Sequence, residues 1–136
     1  MGRNRGRALL TDDERQRIIA EGDVALLVAK AEEIGSALQS ADLKSAQIRN
    51  IFGTVRQIQA AWPLEPDDQQ TAAAYRQLQL LKPKLAYQAA RNPSVTGLAD
   101  ILTPVIDEVG MDRERFQRFV DFFEAILAYH VAAGGK

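Results

Sequence analysis

The sequence predicts an all-α, single-domain bundle of five or six helices, with Pro kinks and short loops. Three observations carry that expectation. Apolar residues recur three and four apart along most of the chain, the period of a helix with one buried face. Capping residues stand where those stripes begin. No segment alternates apolar and polar side chains as a strand would, and no internal repeat or low-complexity tract divides the 136 residues, which suffice to bury one core.

Residues 1–10 read as a flexible basic arm carrying Arg3, Arg5 and Arg7, and residues 11–136 as the helical domain. Thr11 followed by Glu14 is a capping-box pattern, and Asp12 and Asp13 suit a first turn. A short helix is therefore expected to about Ala20. Gly22 and Asp23 break it or cap its successor, in which Val24, Leu27, Val28, Ala31, Ile34 and Leu38 form a stripe to about Gln39. Ser45 is placed as the N-cap of the next helix. Ile48, Ile51, Phe52, Val55 and Ile58 stripe it, and Trp62 with Pro63 ends it, because the residue before proline avoids the helical region.

Leu64 to Asp68 is a linker, with Pro66 suited to a first helical position. Ala72, Tyr75, Leu78, Leu81 and Leu85 continue helical spacing through Pro83, which should kink or split the element near Leu81 and Lys82. Asn92 and Pro93 close it, and Ser94 opens a helix striped by Val95, Leu98, Ile101, Leu102, Val105, Ile106 and Val109, with Pro104 as a second kink. Gly110 ends that helix and Asp112 caps the last. Phe116, Phe119, Val120, Phe123, Leu127 and Val131 line the last helix until Gly134 and Gly135 stop it.

Composition excludes several classes of function. There is no cysteine, so disulfides and thiolate metal sites are out. No apolar run approaches the roughly 18 residues of a membrane span, and the first ten residues have arginines but no apolar core, unlike a signal peptide. The net charge of −1 conceals an asymmetry. Residues 44–91 carry seven basic side chains against three acidic ones, whereas residues 8–43 carry three against eight and residues 92–136 four against seven. A basic middle between acidic flanks points to a local anion site, and to copies that meet basic surface against acidic surface.

Two segments concentrate that charge. In SAQIRNIFGTVRQI (Ser45 to Ile58), advancing about 100° per residue, Arg49 and Arg56 share a face the apolar stripe does not use, with small Gly53 and Ala60 beside them. A glycine inside an exposed helix costs roughly 1 kcal/mol against alanine, which close approach of another backbone would offset. In LQLLKPKLAYQAAR (Leu78 to Arg91), Lys84, Gln88 and Arg91 form a second row with Tyr87 at its side, and Lys82 sits at the proline. Cations and amides on one ridge suit phosphate and ribose, and a tyrosine can stack on a base. The same rows also fit a merely solvated face, and Gly53 equally fits a tight helix crossing.

Nothing assembles a catalytic centre. His130 is the only histidine, so a His-based metal site or a triad would leave carboxylates alone to do the rest; it is expected to pack near the last helical turn. Asp121 and Glu124 share a face, but an ion pair with Arg115, Arg118 or a neighbouring helix explains them more simply than acid–base chemistry. There is no glycine-rich phosphate loop. The expectation is a protein without catalytic residues, metal or cofactor.

IRNIFGTVRQI, LLKPKLAYQAAR and FVDFFEAILAYH, in this order and spacing, resemble the small helical subunit of type III-A CRISPR effectors, the Csm complex. The resemblance covers about residues 44–133. It implies an all-α, cytoplasmic, non-catalytic protein of antiviral defence. Several copies would stack beside the backbone subunits, lining the channel that holds the guide–target duplex. Its partners would be guide RNA and above all the target strand, the backbone and large subunits, and other copies of itself, with no membrane. Carried over by position, Arg49, Arg56, Lys82, Lys84 and Arg91 would face RNA, joined by Gln88 and Tyr87 of the second row, with Arg76 and Lys44 second to them.

Recognition would then ignore sequence, since base pairing with the guide supplies that information. About three neutralised phosphates per copy imply a log–log salt slope near −2 to −3, and several tethered copies would gain through effective concentration. The reading from a different class is a helical protein–protein interaction module that never touches nucleic acid, its basic rows meeting acidic partners. A helix-turn-helix DNA-binding factor fits less well, because the linker between the two basic helices is not a three- or four-residue turn.

Overall fold

The structure is a computed structural model and describes residues 9–135. Six α-helices lie wholly among these residues: α1 (Asp12–Ile19), α2 (Val24–Ser40), α3 (Ser45–Ala61), α4 (Asp68–Arg91), α5 (Thr96–Val109) and α6 (Arg113–Ala132), with a 3₁₀ turn at Pro93–Val95 before α5. No strand occurs among the described residues. The fold class is that expected from the sequence.

Most helix starts follow the capping chemistry. The Thr11 hydroxyl accepts the Glu14 N–H at 3.1 Å, and the Glu14 carboxylate accepts the Thr11 N–H at 2.9 Å, completing the capping box. Asp23, Asp67 and Asp112 cap α2, α4 and α6 by accepting from the backbone N–H of Leu26, Gln70 and Arg115. Ser45 departs from expectation: Lys44 occupies the N-cap of α3 without a side-chain bond, and Ser45 is the first residue inside the helix, buried. Pro66 likewise precedes the Asp67 cap instead of opening α4.

The core gathers on α6. Phe116, Phe119, Phe122 and Phe123 are all fully buried. Trp62, at the end of α3, stacks on Phe116 with ring centroids 4.5 Å apart, and Phe52 meets Phe123 edge-on at 5.1 Å. On the other side α2 lies along α6 so closely that Gly35 faces Ile126, Tyr129 and His130 directly. Arg118 of α6 donates to the carbonyls of Ile19 and Ala20 at 3.1 and 3.0 Å, satisfying the C-terminal end of α1.

Several expectations are corrected in detail. Val24 and Val28 are 70% and 44% exposed, so the buried stripe of α2 begins at Leu27. In α4 Ala74 is buried and Ala72 exposed, and in α6 Phe122 and Ile126 enter the core while Val131 does not. Neither Pro83 nor Pro104 splits its helix, and both lie inside continuous α-helix. Pro83 sits on an exposed face, where the Gln79 carbonyl that loses its helical partner can turn to water. The arm expected over residues 1–10 lies, as far as residue 8, outside the described residues. Leu10 is in the core, so the packed domain starts ahead of Thr11.

Candidate nucleic-acid interface

The basic side chains of this protein divide by what they touch. Arg15 and Arg115 both pair with Glu108, at 3.2 and 3.7 Å, Arg17 pairs with Asp23 and Arg118 with Glu114. Lys30 is nearly buried between Glu14 and Glu33. These cations hold the flanks of the fold together. On α3 and α4 the pattern reverses: Arg49, Arg56, Arg76, Lys84 and Arg91 are exposed, and none makes an ion pair among the described residues. The local sequence explains it. Between Ser45 and Arg91, carboxylates occur only at Glu65, Asp67 and Asp68, in the linker and the first residue of α4.

The remaining cations of this region are engaged. Lys82 Nζ lies 2.5 Å from the Asp107 carboxylate of α5, on the side of α4 away from the row of Lys84, Gln88 and Arg91. Lys44 pairs with Asp42 at 2.7 Å. Lys82 therefore reaches an anion only by exchanging Asp107 for it.

Arg91 is braced within its own helix. Its guanidinium lies 5.7 Å from the centroid of the Tyr87 ring and donates to the Tyr87 hydroxyl at 2.9 Å. Tyr87 is 59% exposed and not core. Arg56 lies 5.9 Å from the ring centroid of Phe52 on α3, which fixes its base while its face stays open to solvent. Gly53, between Arg49 and Arg56, faces open space: a Cβ there would meet nothing within 4 Å. No helix crosses at Gly53 among the described residues, so the tight crossing weighed from the sequence is absent there.

The two rows do not line one cavity. Between α3 and α4 runs a groove of about 330 Å³. Lys84, Tyr87 and Gln88 stand on its α4 side, three of the residues expected from sequence. Its α3 side is formed by Gln47, Asn50 and Thr54, not by Arg49 and Arg56. At about 100° per residue, Asn50 and Thr54 lie roughly 100–140° round α3 from Arg49. The arginines thus occupy the opposite shoulder, toward α6, where Gln59 of α3 bonds Gln117 at 3.3 Å. The sequence carried a signal for the groove wall, polar residues three and four apart at 47, 50 and 54. Only the pairing of α3 with α4 gives it meaning.

The other candidates resolve into structure. His130 is fully buried, and its Nε2 lies 2.5 Å from the Leu43 carbonyl. A carbonyl only accepts, so Nε2 carries the proton and ties the loop after α2 to the end of α6. Asp121 accepts from Gln117 at 3.0 Å instead of pairing with an arginine. Among the described residues no three metal-binding side chains cluster, and no helix is long and apolar enough to cross a membrane.

Comparison with known families covers most of the chain. Residues 21–136 match the family model described as Csm2 Type III-A, which spans α2 to α6 and so both basic helices. No curated protein and no solved structure matches the chain.

Proposed function

The chain belongs to the Csm2 type III-A family, and from that premise we propose that α3 and α4 hold the sugar–phosphate backbone of the target strand within the guide–target duplex. The family supplies a non-catalytic structural subunit of the Csm complex. In the proposed role several copies stack beside the backbone and large subunits in the cytoplasm, the acidic flanks of one copy toward the basic middle of the next. Guide pairing selects the sequence, and this subunit contributes charge and shape to antiviral defence.

The observation that carries the proposal is the partition of the cations. Four of the five described flank arginines, Arg15, Arg17, Arg115 and Arg118, are bonded to carboxylates or carbonyls of this fold, exposed Arg113 being the exception, while those of α3 and α4 stay exposed and make no ion pair among the described residues. Guanidinium groups on ordered helices that no carboxylate of the described residues pairs with are set up for bidentate phosphate contacts.

The test is a charge-reversal set, Arg49→Glu, Arg56→Glu and Lys84→Glu, measured in the assembled complex. The expected result is a subunit that folds and assembles but retains target RNA poorly, with a flatter salt dependence. Unchanged affinity and slope in all three would defeat the RNA reading. If the variants instead fail to assemble while RNA affinity per assembled complex is normal, the rows serve protein contacts.

A further inference from the structure

The groove between α3 and α4 has a chemistry that phosphate alone does not need. Its base is apolar: Ile51, Leu81 and Leu85 lie there, all buried. Its rim is polar but carries no carboxylate. Asn50, Thr54 and Gln88 make no side-chain hydrogen bond to the described residues, and Gln47 has only a long contact, 3.4 Å, to the Ser94 hydroxyl. Lys84 stands at the edge, and Tyr87 offers an exposed ring. An apolar slot with free amides, one cation and an aromatic wall complements a flat heteroaromatic group that has a polar edge and an attached anion.

We infer that this groove receives a single unstacked nucleobase of the bound strand, with Tyr87 against its face, Asn50 and Gln88 at its polar edge and Lys84 at the adjoining phosphate. The inference rests on the RNA reading of the same helices and adds to it a base subsite. A volume of about 330 Å³ lies at the small end of ligand pockets, about 300–1,000 Å³, and so suits one base and not a stack of them. Primary amides both donate and accept, so the subsite takes different bases without strong preference. That property is compatible with recognition that leaves sequence to guide pairing.

The experiment uses the full chain, with the side-chain amide signals of Asn50 and Gln88 followed by ¹H–¹⁵N spectroscopy. Uridine and adenosine, which carry no phosphate, are titrated beside their 5′-monophosphates and beside ribose 5-phosphate. The nucleosides and nucleotides are expected to shift both amides, the nucleotides at lower concentration, and ribose 5-phosphate to leave them in place. Tyr87→Ala should weaken uridine 5′-monophosphate binding by about tenfold, while Tyr87→Phe, which keeps the ring, should not. Equal shifts with ribose 5-phosphate, or none with any base, would overturn the subsite. Because nucleosides are uncharged, such a failure is separate from failure of the charge rows, which the salt slope of the reversal variants reports.

Discussion

Lys82 reaches from α4 to Asp107 of α5, Nζ to carboxylate 2.5 Å, and this pair withdraws from the surface one of the cations that the sequence assigns to RNA. The lysine is only partly exposed, and its partner is more so. Asp107→Asn should release it. Surface pairs contribute only about 0–1 kcal/mol, so the variant is expected to fold with nearly unchanged stability. If Lys82 turns to RNA once released, the magnitude of the salt slope rises by up to about 0.9 and affinity tightens at low salt. A salt titration of RNA binding decides; an unchanged slope leaves Lys82 as a brace between α4 and α5.

Gly35 and Gly53 should respond to alanine in opposite directions. A Cβ on Gly35 would fall 2.7 Å from the His130 nitrogen and 2.8 Å from the Ile126 carbonyl oxygen, backbone atoms that cannot step aside. Gly35→Ala must push α2 away from α6 and is expected to cost about 1–3 kcal/mol or more. On Gly53 a Cβ meets nothing, so Gly53→Ala should stabilise the free chain by about 0.5–1 kcal/mol through helix propensity. Urea unfolding of the two variants beside the parent tests both. A stable Gly35→Ala protein would mean that α2 and α6 are packed less closely than described.

Those two glycines show what could be read before the structure. The cost of Gly53 in an exposed helix was visible, because propensity is local; the absence of any neighbour was not. The caps at Thr11, Asp23 and Asp112 were legible for the same reason, each satisfying N–H groups three residues away. Ser45 misled because the start of α3 is fixed from a distance, by buried Leu43 and its carbonyl bond to His130. Val24 and Val28 continue a helical period past the point where another element covers it. Arg49, Arg56, Lys84, Tyr87 and Gln88 were readable as exposed rows, yet the groove was not, since Asn50 and Thr54 gain their role only when α4 lies beside them.

Acid should weaken the start of the domain. The backbone N–H of Thr11 does most to hold the Glu14 carboxyl below its ordinary value of 4.5; partial burial opposes this, and Lys30 adds to the lowering. A depressed folded-state pKa means that the stabilising contribution is present above pH 4.5 and is lost as pH falls through the lower folded value. Glu14→Gln should therefore be less stable than the parent near neutrality, and the gap should close as both are acidified below that point. Denaturant midpoints from pH 7 to pH 3 measure it. A constant gap across that range would assign the effect of Glu14 to packing instead of charge.

The division of arginines predicts a double dissociation, which also bears most directly on function. Arg115 donates to the Glu108 backbone carbonyl at 3.0 Å and pairs with the same residue's carboxylate, which is only 16% exposed and also receives Arg15. Removing either guanidinium leaves a half-buried carboxylate short of a partner, so Arg15→Gln and Arg115→Gln should each cost about 1–2 kcal/mol. Neither arginine lies on the basic rows, and the salt slope of RNA binding should stay as it is. Arg49→Gln breaks no contact with the fold and Arg56→Gln only the one over the Phe52 ring, so stability should stay within about 0.5 kcal/mol for the first and about 1 kcal/mol for the second. Each should instead flatten the slope by about 0.7–0.9, one phosphate contact. If all four variants moved stability and slope together, the cations of α3 would not be a separate functional set, and the partition that supports the RNA reading would have to be abandoned.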